Sequence, residues 1–470
     1  MTTHLGRLQR EHAPTLSQTE AVAAGRAERI RMPRQAHGDY ETGARDPLAI
    51  LDEQNQTRVD DLIALRMGRM VASPFTFYRG TAAIMTADLA RGASSGITVV
   101  SCGDAHISNF GLFASPARTL VFDLNDFDEA SPAPFEWDVK RFVTSVVIGA
   151  RDIGLDEKQV RRAARHAARS YRTALRGMMK LTVLQRYYFR LDTDSISRGL
   201  DADAQKVLDA ATRQARKRTS QAFVDKIVTQ APDGTRLIVD RPPVLTHLPE
   251  ATQSELELLF EEYRRTVPGD IALLLSQFSL TDVARRVVGV GSVGTRCFIL
   301  ILTGPQQEAL VLQVKEAQVS VLESYGGIPA TDALHGRHSD APAARSREGH
   351  RVVTNQHILQ AVSDPFLGFL SFGGRDYYVR QFRDMKGSID VAGLSAAEYT
   401  TYVDGCGTIL ARAHAQSPNA PTIEGYLGKS REFDDAVVRW SYAYADQSLA
   451  DYRVLQSAVN DGSIEAVIGV

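Results

Sequence analysis

The residues able to do chemistry are concentrated in one stretch of this chain, VVSCGDAHISNFGLFASPARTLVFDLNDFDEASPAPFEWDVKRFVTS, from Val99 to Ser145. An apolar run, Ile97–Val100, ends in a small polar loop that carries Asp104, His106 and Asn109. A second apolar run, Thr119–Phe122, opens onto Asp123, Asn125, Asp126, Asp128 and Glu129. Carboxylates crowded at strand ends repel one another and resist desolvation. A bound divalent cation offsets that cost, and oxygen ligands without sulfur suit magnesium, manganese or calcium better than zinc. Phosphoryl transfer needs one carboxylate to receive the proton of an attacking hydroxyl. It also needs an amide and a second carboxylate to hold magnesium on nucleotide phosphates. Asp104 suits the first role, and Asn109 with Asp126 suits the second.

The elements that must position this stretch divide the chain into four parts. Residues 1–45 are polar, rich in Arg, Ala and Gln, and lack apolar periodicity, so they read as a disordered or loosely docked arm. Residues 46–280 read as a catalytic helical lobe that carries the segment 99–145. RVDDLIALRMGRM and GTAAIMTADLA are helical in pattern, and SPFTFYRG lies between them. There Arg79, beside Gly80, is placed to meet a phosphate or a carboxylate, or to sit in a structural ion pair. Long helical patterns follow at DEKQVRRAARHAARSYRTALRGMMKL and ADAQKVLDAATRQARKRTSQAFVDKI, then short strands around Pro242-Pro243, then two more helices. The section 146–280 has no chemical signature of its own and is a candidate acceptor-binding wall. Residues 387–470 read as helices that return to the catalytic lobe.

The remaining part, 281–386, reads as a β-rich nucleotide lobe ending in a hinge. Gly289, Gly291, Ser292 and Gly294 lie in a GxGxxG pattern with an apolar, strand-like run on each side. Glycine lets backbone amides approach phosphate oxygens closely. A dinucleotide-binding turn opens a helix, whereas this one joins two strands. One strand later, Lys315 is flanked by Val311, Leu312, Val314 and Ala317, which places its amine in a cleft. Its acidic partner is left open between Glu323 and Glu348, with Gln356 as a neutral substitute. The stretch GIPATDALHGRHSDAPAARS between these candidates reads as a flexible insertion. DPFLGFLSFGGRDYYVRQF gives two strands, and RDMKGSID then crosses between lobes, with Arg380, Arg383 and Lys386 facing ligand or solvent.

The motif at Gly103-Asp104-Ala105-His106-Ile107-Ser108-Asn109 resembles the GDxHxxN catalytic loop of aminoglycoside phosphotransferases and related small-molecule kinases. Asp126-Phe127-Asp128-Glu129-Ala130 resembles their metal-binding segment, and Trp137-Asp138 the helix start that follows it. The run Leu410–Ala415 is similar to the helix that stands before their catalytic loop. The resemblance implies Asp104 as base, His106 as a group that orients the loop or touches phosphate, and Asn109 and Asp126 as magnesium ligands. It implies Asp138 as a helix cap, with Asp123 and Asp128 as further metal candidates. The glycine hairpin and Lys315 would hold ATP phosphates as in protein kinases, and the hinge backbone would hold adenine. Cys102 stands where the phosphotransferases have His. All parts are present in rotated order, so the expected fold is α+β: a circularly permuted, protein-kinase-like two-lobed fold with a helix-rich C-lobe and a small antiparallel β nucleotide lobe.

From about Arg66 onward the chain also resembles a largely bacterial family known as domain of unknown function 2252. SPFTFYRG, CGDAHISNFG, FDLNDFDEA, WDVKR, GVGSVGT, LQVKEA, VRQFRDMKG, LARAHA and YADQ carry that resemblance, which brings no activity with it. The expected function is an ATP- and Mg2+-dependent phosphotransferase acting on a hydroxyl of a small molecule. Two alternatives are an inactive nucleotide-binding regulator of the same fold and a metal-dependent hydrolase built on the carboxylate cluster.

Composition narrows the partners. The 470 residues are 44% hydrophobic and 23% charged with a formal net charge of −2, which argues against bulk capture of nucleic acid or anionic membrane. No apolar run approaches the ~20 residues of a membrane span, and the opening residues lack the apolar core of a secretory signal. Cys102, Cys297 and Cys406 are far apart and without metal spacing, so they read as reduced thiols of a cytoplasmic protein.

Overall fold

The computed structural model describes residues 16–41, 43–230, 236–247, 253–287, 289–291, 293–328, 347–382 and 384–469. Ser292, Arg383, residues 1–15 of the arm and residues 329–346 of the insertion lie outside these. The described chain is mixed α+β with small antiparallel sheets.

Two short ribbons place the two acidic loops side by side. Strand β1 (Thr98–Ser101) pairs antiparallel with β4 (Ser131–Pro134), and β2 (Phe110–Ala114) pairs with β3 (Leu120–Leu124). The loop with Asp104 runs from β1 to β2, and the loop with Asp126 runs from β3 to β4. Each ribbon buries nearly all of its side chains, because the helix Phe135–Asp152 and its neighbours cover them. That helix is buried from Phe135 to Ala150. It packs against Glu157–Met178 and Glu432–Asn460 to form the centre of the helical lobe. The helix Ala396–His414 lies on Glu157–Met178 so closely that a Cβ at Gly407 would stand 3.1 Å from the carbonyl oxygen of Ala167.

The described residues 16–41 and 43–45 are not a loose arm. Gln18–Arg31 is a helix opened by a reciprocal cap between Ser17 and Glu20. It docks on Ala420–Leu427 through two glycines: a Cβ at Gly25 would meet the carbonyl of Thr422 at 2.0 Å, and one at Gly425 the carbonyl of Val22 at 2.2 Å. A contact built from backbone and small residues leaves no apolar periodicity to read.

Strands β5 (Val228–Gln230) and β6 (Arg236–Ile238) form a separate hairpin. The large sheet contains β7 (Leu245–His247), β8 (Ser279–Arg286), β9 (Cys297–Thr303), β10 (Ala309–Ala317), β11 (Gly368–Phe372) and β12 (Arg375–Gln381), in the spatial order β11-β12-β10-β9-β8-β7. One face packs on Phe260, Tyr263, Val267 and Leu275, and the other on Phe223, Val224 and Ile227. Burial on both faces accounts for the apolar run Ala309–Leu312 in β10, and beyond it the strand stays buried even at Gln313, Lys315 and Glu316. The sheet lobe therefore reaches back to about residue 220, well before the expected boundary at 281. The covering helices carry ordinary amphipathic patterns that say nothing about which lobe they cover.

The helix Arg347–Leu359 packs on β10, β11 and β12 and ties the sheet to the Asp126 loop. Arg351 donates to the carbonyls of Ala130 and Asp128, and Asn355 also donates to Ala130. No described helix is long and apolar enough to cross a membrane.

Candidate active site

The loop bearing Asp104 needs a left-handed residue, and Gly103 supplies it with φ of 75°; a Cβ there would meet the carbonyl of Glu129 at 2.5 Å. Asp138 pins this turn. The amides of Cys102 and Gly103 donate to its two carboxylate oxygens at 2.8 and 3.0 Å. His414 Nε2 lies 3.0 Å from Asp138 Oδ2, and its Nδ1 lies 2.8 Å from the Tyr171 hydroxyl. Asp138 thus holds the preceding loop and is not a cap of its own helix. Asp138→Asn turns an NH2 group toward one of these donors. It should cost ~1–3 kcal/mol, the penalty of a buried unsatisfied group, visible as a lowered thermal midpoint.

Asp104 is half-buried. Its Oδ1 accepts from Arg141 Nε at 2.9 Å and Nη2 at 2.7 Å, while His106 Nε2 lies 3.6 Å from Oδ2. Asn109 Nδ2 donates to the Asp104 carbonyl at 2.8 Å, which holds the two expected functional residues in one turn. Burial raises the Asp104 pKa above the ordinary carboxylate range, against the pull of Arg141. Burial, with Arg79 and Arg141 nearby, keeps His106 neutral. Arg141 was not singled out in the sequence. It lies three residues beyond Asp138 and so on the same helical face, which is the one signal that points to it.

Across the cleft, β10 pairs with β9 and β12, so that Lys315 stands opposite Cys297 and Tyr378. The buried Lys315 amine hydrogen-bonds Asp128 Oδ2 and lies 3.9 Å from Asp126 Oδ1. Tyr378 donates to the other oxygen of Asp128 at 2.6 Å. The expected partners are engaged elsewhere. Glu323 accepts from Ser131 and Arg347, Glu348 from Arg351, and Gln356 donates to Gln360. Asp123 is also structural, since its oxygens take the amides of Leu124 and Ala361, both at 2.8 Å.

Asp126 Oδ1 is buried without a hydrogen-bond partner. Burial alone would raise its pKa, but Lys315, Arg380 and Lys386 outweigh it and hold the carboxylate ionised. An ionised oxygen with no donor is what a cation ligand requires, and Asn109 lines the same cavity. Among the described residues no group of three or more His, Cys, Asp and Glu side chains could hold a metal ion. Magnesium bound through one or two protein groups and substrate phosphates needs no such group, so the residues present fit it.

The glycine pattern lies in the turn between β8 and β9, which are antiparallel neighbours. Gly294 has φ of 89° and its amide-side neighbours are held down on the helical lobe. Val59 N donates to its carbonyl at 2.8 Å, Arg58 donates to Val293, and Arg69 donates to Gly289 at 2.8 Å. Val290 and Val293 are buried among helical-lobe side chains including Met70, Phe77 and Leu65.

Two cavities of about 640 Å3 each meet under this turn. One is lined by Asp104, His106, Asn109, Arg79 and Gly291. The other is lined by Lys315, Gln313, Arg380, Asp384 and Lys386. Asp126 and Gly289 line both. The crossing segment beyond β12 spends many of its backbone groups on anchoring. The amides of Phe382, Met385 and Gly387 donate to Val311, Arg218 and Leu112. Base recognition through those amides, as expected of a hinge, is not offered here.

Glu129 lies in the first cavity. Burial pushes its pKa up to about 7, with Asp128 and Asp104 adding to the rise and the Val321 amide and Arg351 opposing it. The folded chain then keeps a proton that the unfolded chain releases near 4.5. The stability from this group is present below pH ~4.5 and lost as pH rises through ~7. Glu129→Gln should match wild type at about pH 4 and melt roughly 1–3 °C higher at pH 8. Equal midpoints at both pH values would exclude the effect.

Cys102, Cys297 and Cys406 are buried and free. Burial raises all three thiol pKa values, which disfavours a thiolate nucleophile at Cys102.

A family model described as "Uncharacterized protein conserved in bacteria (DUF2252)" matches residues 58–458. No curated protein and no solved structure matches the chain.

Proposed function

The chain belongs to the DUF2252 family, and for this member we propose ATP- and magnesium-dependent phosphoryl transfer to a hydroxyl of a small acceptor. The observation that carries the reading is the shared wall at Asp126: two cavities meet at a carboxylate with one buried, unpartnered oxygen. The Asp104 cavity suits the acceptor and the Lys315 cavity the nucleoside, with the phosphates crossing between them.

In this reading the acceptor hydroxyl oxygen bonds to the terminal phosphorus as its proton passes to Asp104, and the bond to the diphosphate breaks. Arg141 fixes Oδ1 of Asp104 and leaves Oδ2 to face the hydroxyl. Asn109 and Asp126 would hold magnesium, which when bound would supply charge neutralisation on the phosphates. Lys315 exchanges its contacts with Asp126 and Asp128 for phosphate oxygens. Neutral His106, with Nε2 3.6 Å from Asp104 Oδ2 and Nδ1 buried without a partner, orients the loop or touches phosphate. The glycine turn, which lines the cavities with Gly289 and Gly291, would meet the phosphates.

The fold reading is a protein-kinase-like pair of lobes in circularly permuted order, with the small sheet lobe after the catalytic segment instead of before it. The 3.9 Å between Lys315 and Asp126 supports it, because these residues lie almost two hundred positions apart. A cytoplasmic site of action is the matching expectation.

One observation favours the inactive nucleotide-binding alternative. Arg141 neutralises Asp104, and a permanently paired carboxylate is a poor base. Thermal shifts with ATP, with and without magnesium, followed by radiolabelled transfer from ATP to a panel of hydroxyl acceptors, separate the two. Magnesium-dependent stabilisation with transfer supports the enzyme. Stabilisation without transfer supports the regulator, and no stabilisation removes both.

A further inference from the structure

Arg79 is a cation of the Asp104 cavity that the reading above leaves without a task. It ends the short helix Pro74–Arg79, whose start is capped by Ser73 and Thr76. The residue before it is locked in place. Tyr78 is fully buried and its hydroxyl donates to the Arg141 carbonyl at 2.8 Å. Arg141 Nη2 donates in turn to the Tyr78 carbonyl at 2.8 Å, with the guanidinium 4.0 Å from the Tyr78 ring centre. The same Arg141 holds Asp104, so the backbone of Arg79 and the carboxylate of Asp104 are registered through one side chain.

The Arg79 side chain enters the cavity that Asp104, His106, Asn109 and Asp126 line. Its Nε is buried and has no hydrogen-bond partner. Among the described residues its guanidinium makes no hydrogen bond or ion pair, unlike Arg45, Arg141 and Arg172, which are each forked onto a carboxylate. The glycine turn closes over the other side, where a Cβ on Gly291 would stand 3.3 Å from the Arg79 carbonyl. Arg79 as a whole is half-buried, and burying even one guanidinium nitrogen without a partner is costly. Asp104 and Asp126 offset part of that cost at a distance without satisfying its donors. A planar fork of donors under a glycine turn, facing a base and a cation ligand, matches a tetrahedral phosphoryl group.

We infer that Arg79 binds the terminal phosphoryl group of a nucleoside triphosphate and stabilises it as it passes toward Asp104. This rests on the phosphotransferase reading. Arg79 is then a catalytic residue in the strict sense, since it touches the group transferred. Nothing ties its side chain to the fold, so its removal should leave the protein folded.

The test compares wild type, Arg79→Gln and Arg79→Lys by calorimetric titration with magnesium and either ADP or a non-hydrolysable ATP analogue. Thermal melts check the fold. In Arg79→Gln, affinity for the triphosphate analogue should fall roughly 10–100-fold, the scale of a charge-assisted pair, while ADP affinity stays within twofold. Arg79→Lys should recover part of the loss. Equal losses for both nucleotides, or none, in a folded variant would overturn the assignment and leave the phosphotransferase reading standing. Wild type that binds neither nucleotide would overturn that reading, and the role of Arg79 with it.

Discussion

On the phosphotransferase reading, Asp104→Asn should lower phosphoryl transfer by at least ~100-fold, the scale of acid–base catalysis, and leave nucleotide affinity unchanged. Asparagine is the informative replacement because of Arg141. The guanidinium is buried and forked onto Asp104 Oδ1, so alanine would strand a buried charge at a cost of ~3–5 kcal/mol. Asparagine keeps an oxygen acceptor for the fork and removes only the basic oxygen. A loss of turnover with a thermal midpoint close to wild type therefore reports on proton transfer. The wild-type pH profile adds a second constraint. Burial raises Asp104 above the usual carboxylate range, and a base works only when ionised. Activity should fall as pH drops, on a limb centred above ~4, the ordinary Asp value, and that limb should vanish in the variant. Turnover retained in Asp104→Asn would take the proton-accepting role away from this residue.

The short-range parts of the cleft were legible in the sequence because they are written in local spacing. Asp104 and Asn109 are five residues apart, and their contact runs from one side chain to the other's carbonyl within a single turn. The glycine pattern between two apolar runs predicts a hairpin, and β8 and β9 form one. The apolar neighbours of Lys315 predict a buried amine, and its side chain is 3% exposed. The contacts that were not legible are those between distant segments. Lys315 meets Asp128 on the β3–β4 loop, 187 positions away, and nothing about Asp128 distinguishes it locally from Glu323 or Glu348. The resemblance implies Asp138 as a helix cap, yet its oxygens face another loop. The docked helix Gln18–Arg31 escaped because glycine-to-backbone packing buries little apolar side chain. The lobe boundary was misplaced for a related reason. A helix face shows that it must be covered, not which sheet covers it.

Replacing Lys315 with methionine tests whether the acidic pair beneath it is a cation site. The amine hydrogen-bonds Asp128 and lies 3.9 Å from Asp126, so it balances two carboxylates at once. Both are partly exposed, at 35% and 25% of their side chains, and solvent screens part of the interaction. Removing the amine should cost ~2 kcal/mol, below the value for a fully buried pair. That corresponds to roughly 2–5 °C in the thermal midpoint. Methionine fills the same space, so the loss is electrostatic and not a cavity effect. The carboxylates then repel each other, and a divalent cation is the agent that relieves them. Magnesium should raise the midpoint of Lys315→Met by more than it raises wild type, and Asp126→Asn in the same background should abolish the difference. Transfer activity should fall ~100-fold or more in Lys315→Met, since a preorganised charge on the phosphates is lost. If magnesium leaves the variant unmoved relative to wild type, Asp126 is not a metal ligand. The shared wall between the two cavities would then be a salt bridge alone, and the case for phosphoryl transfer would fall with it.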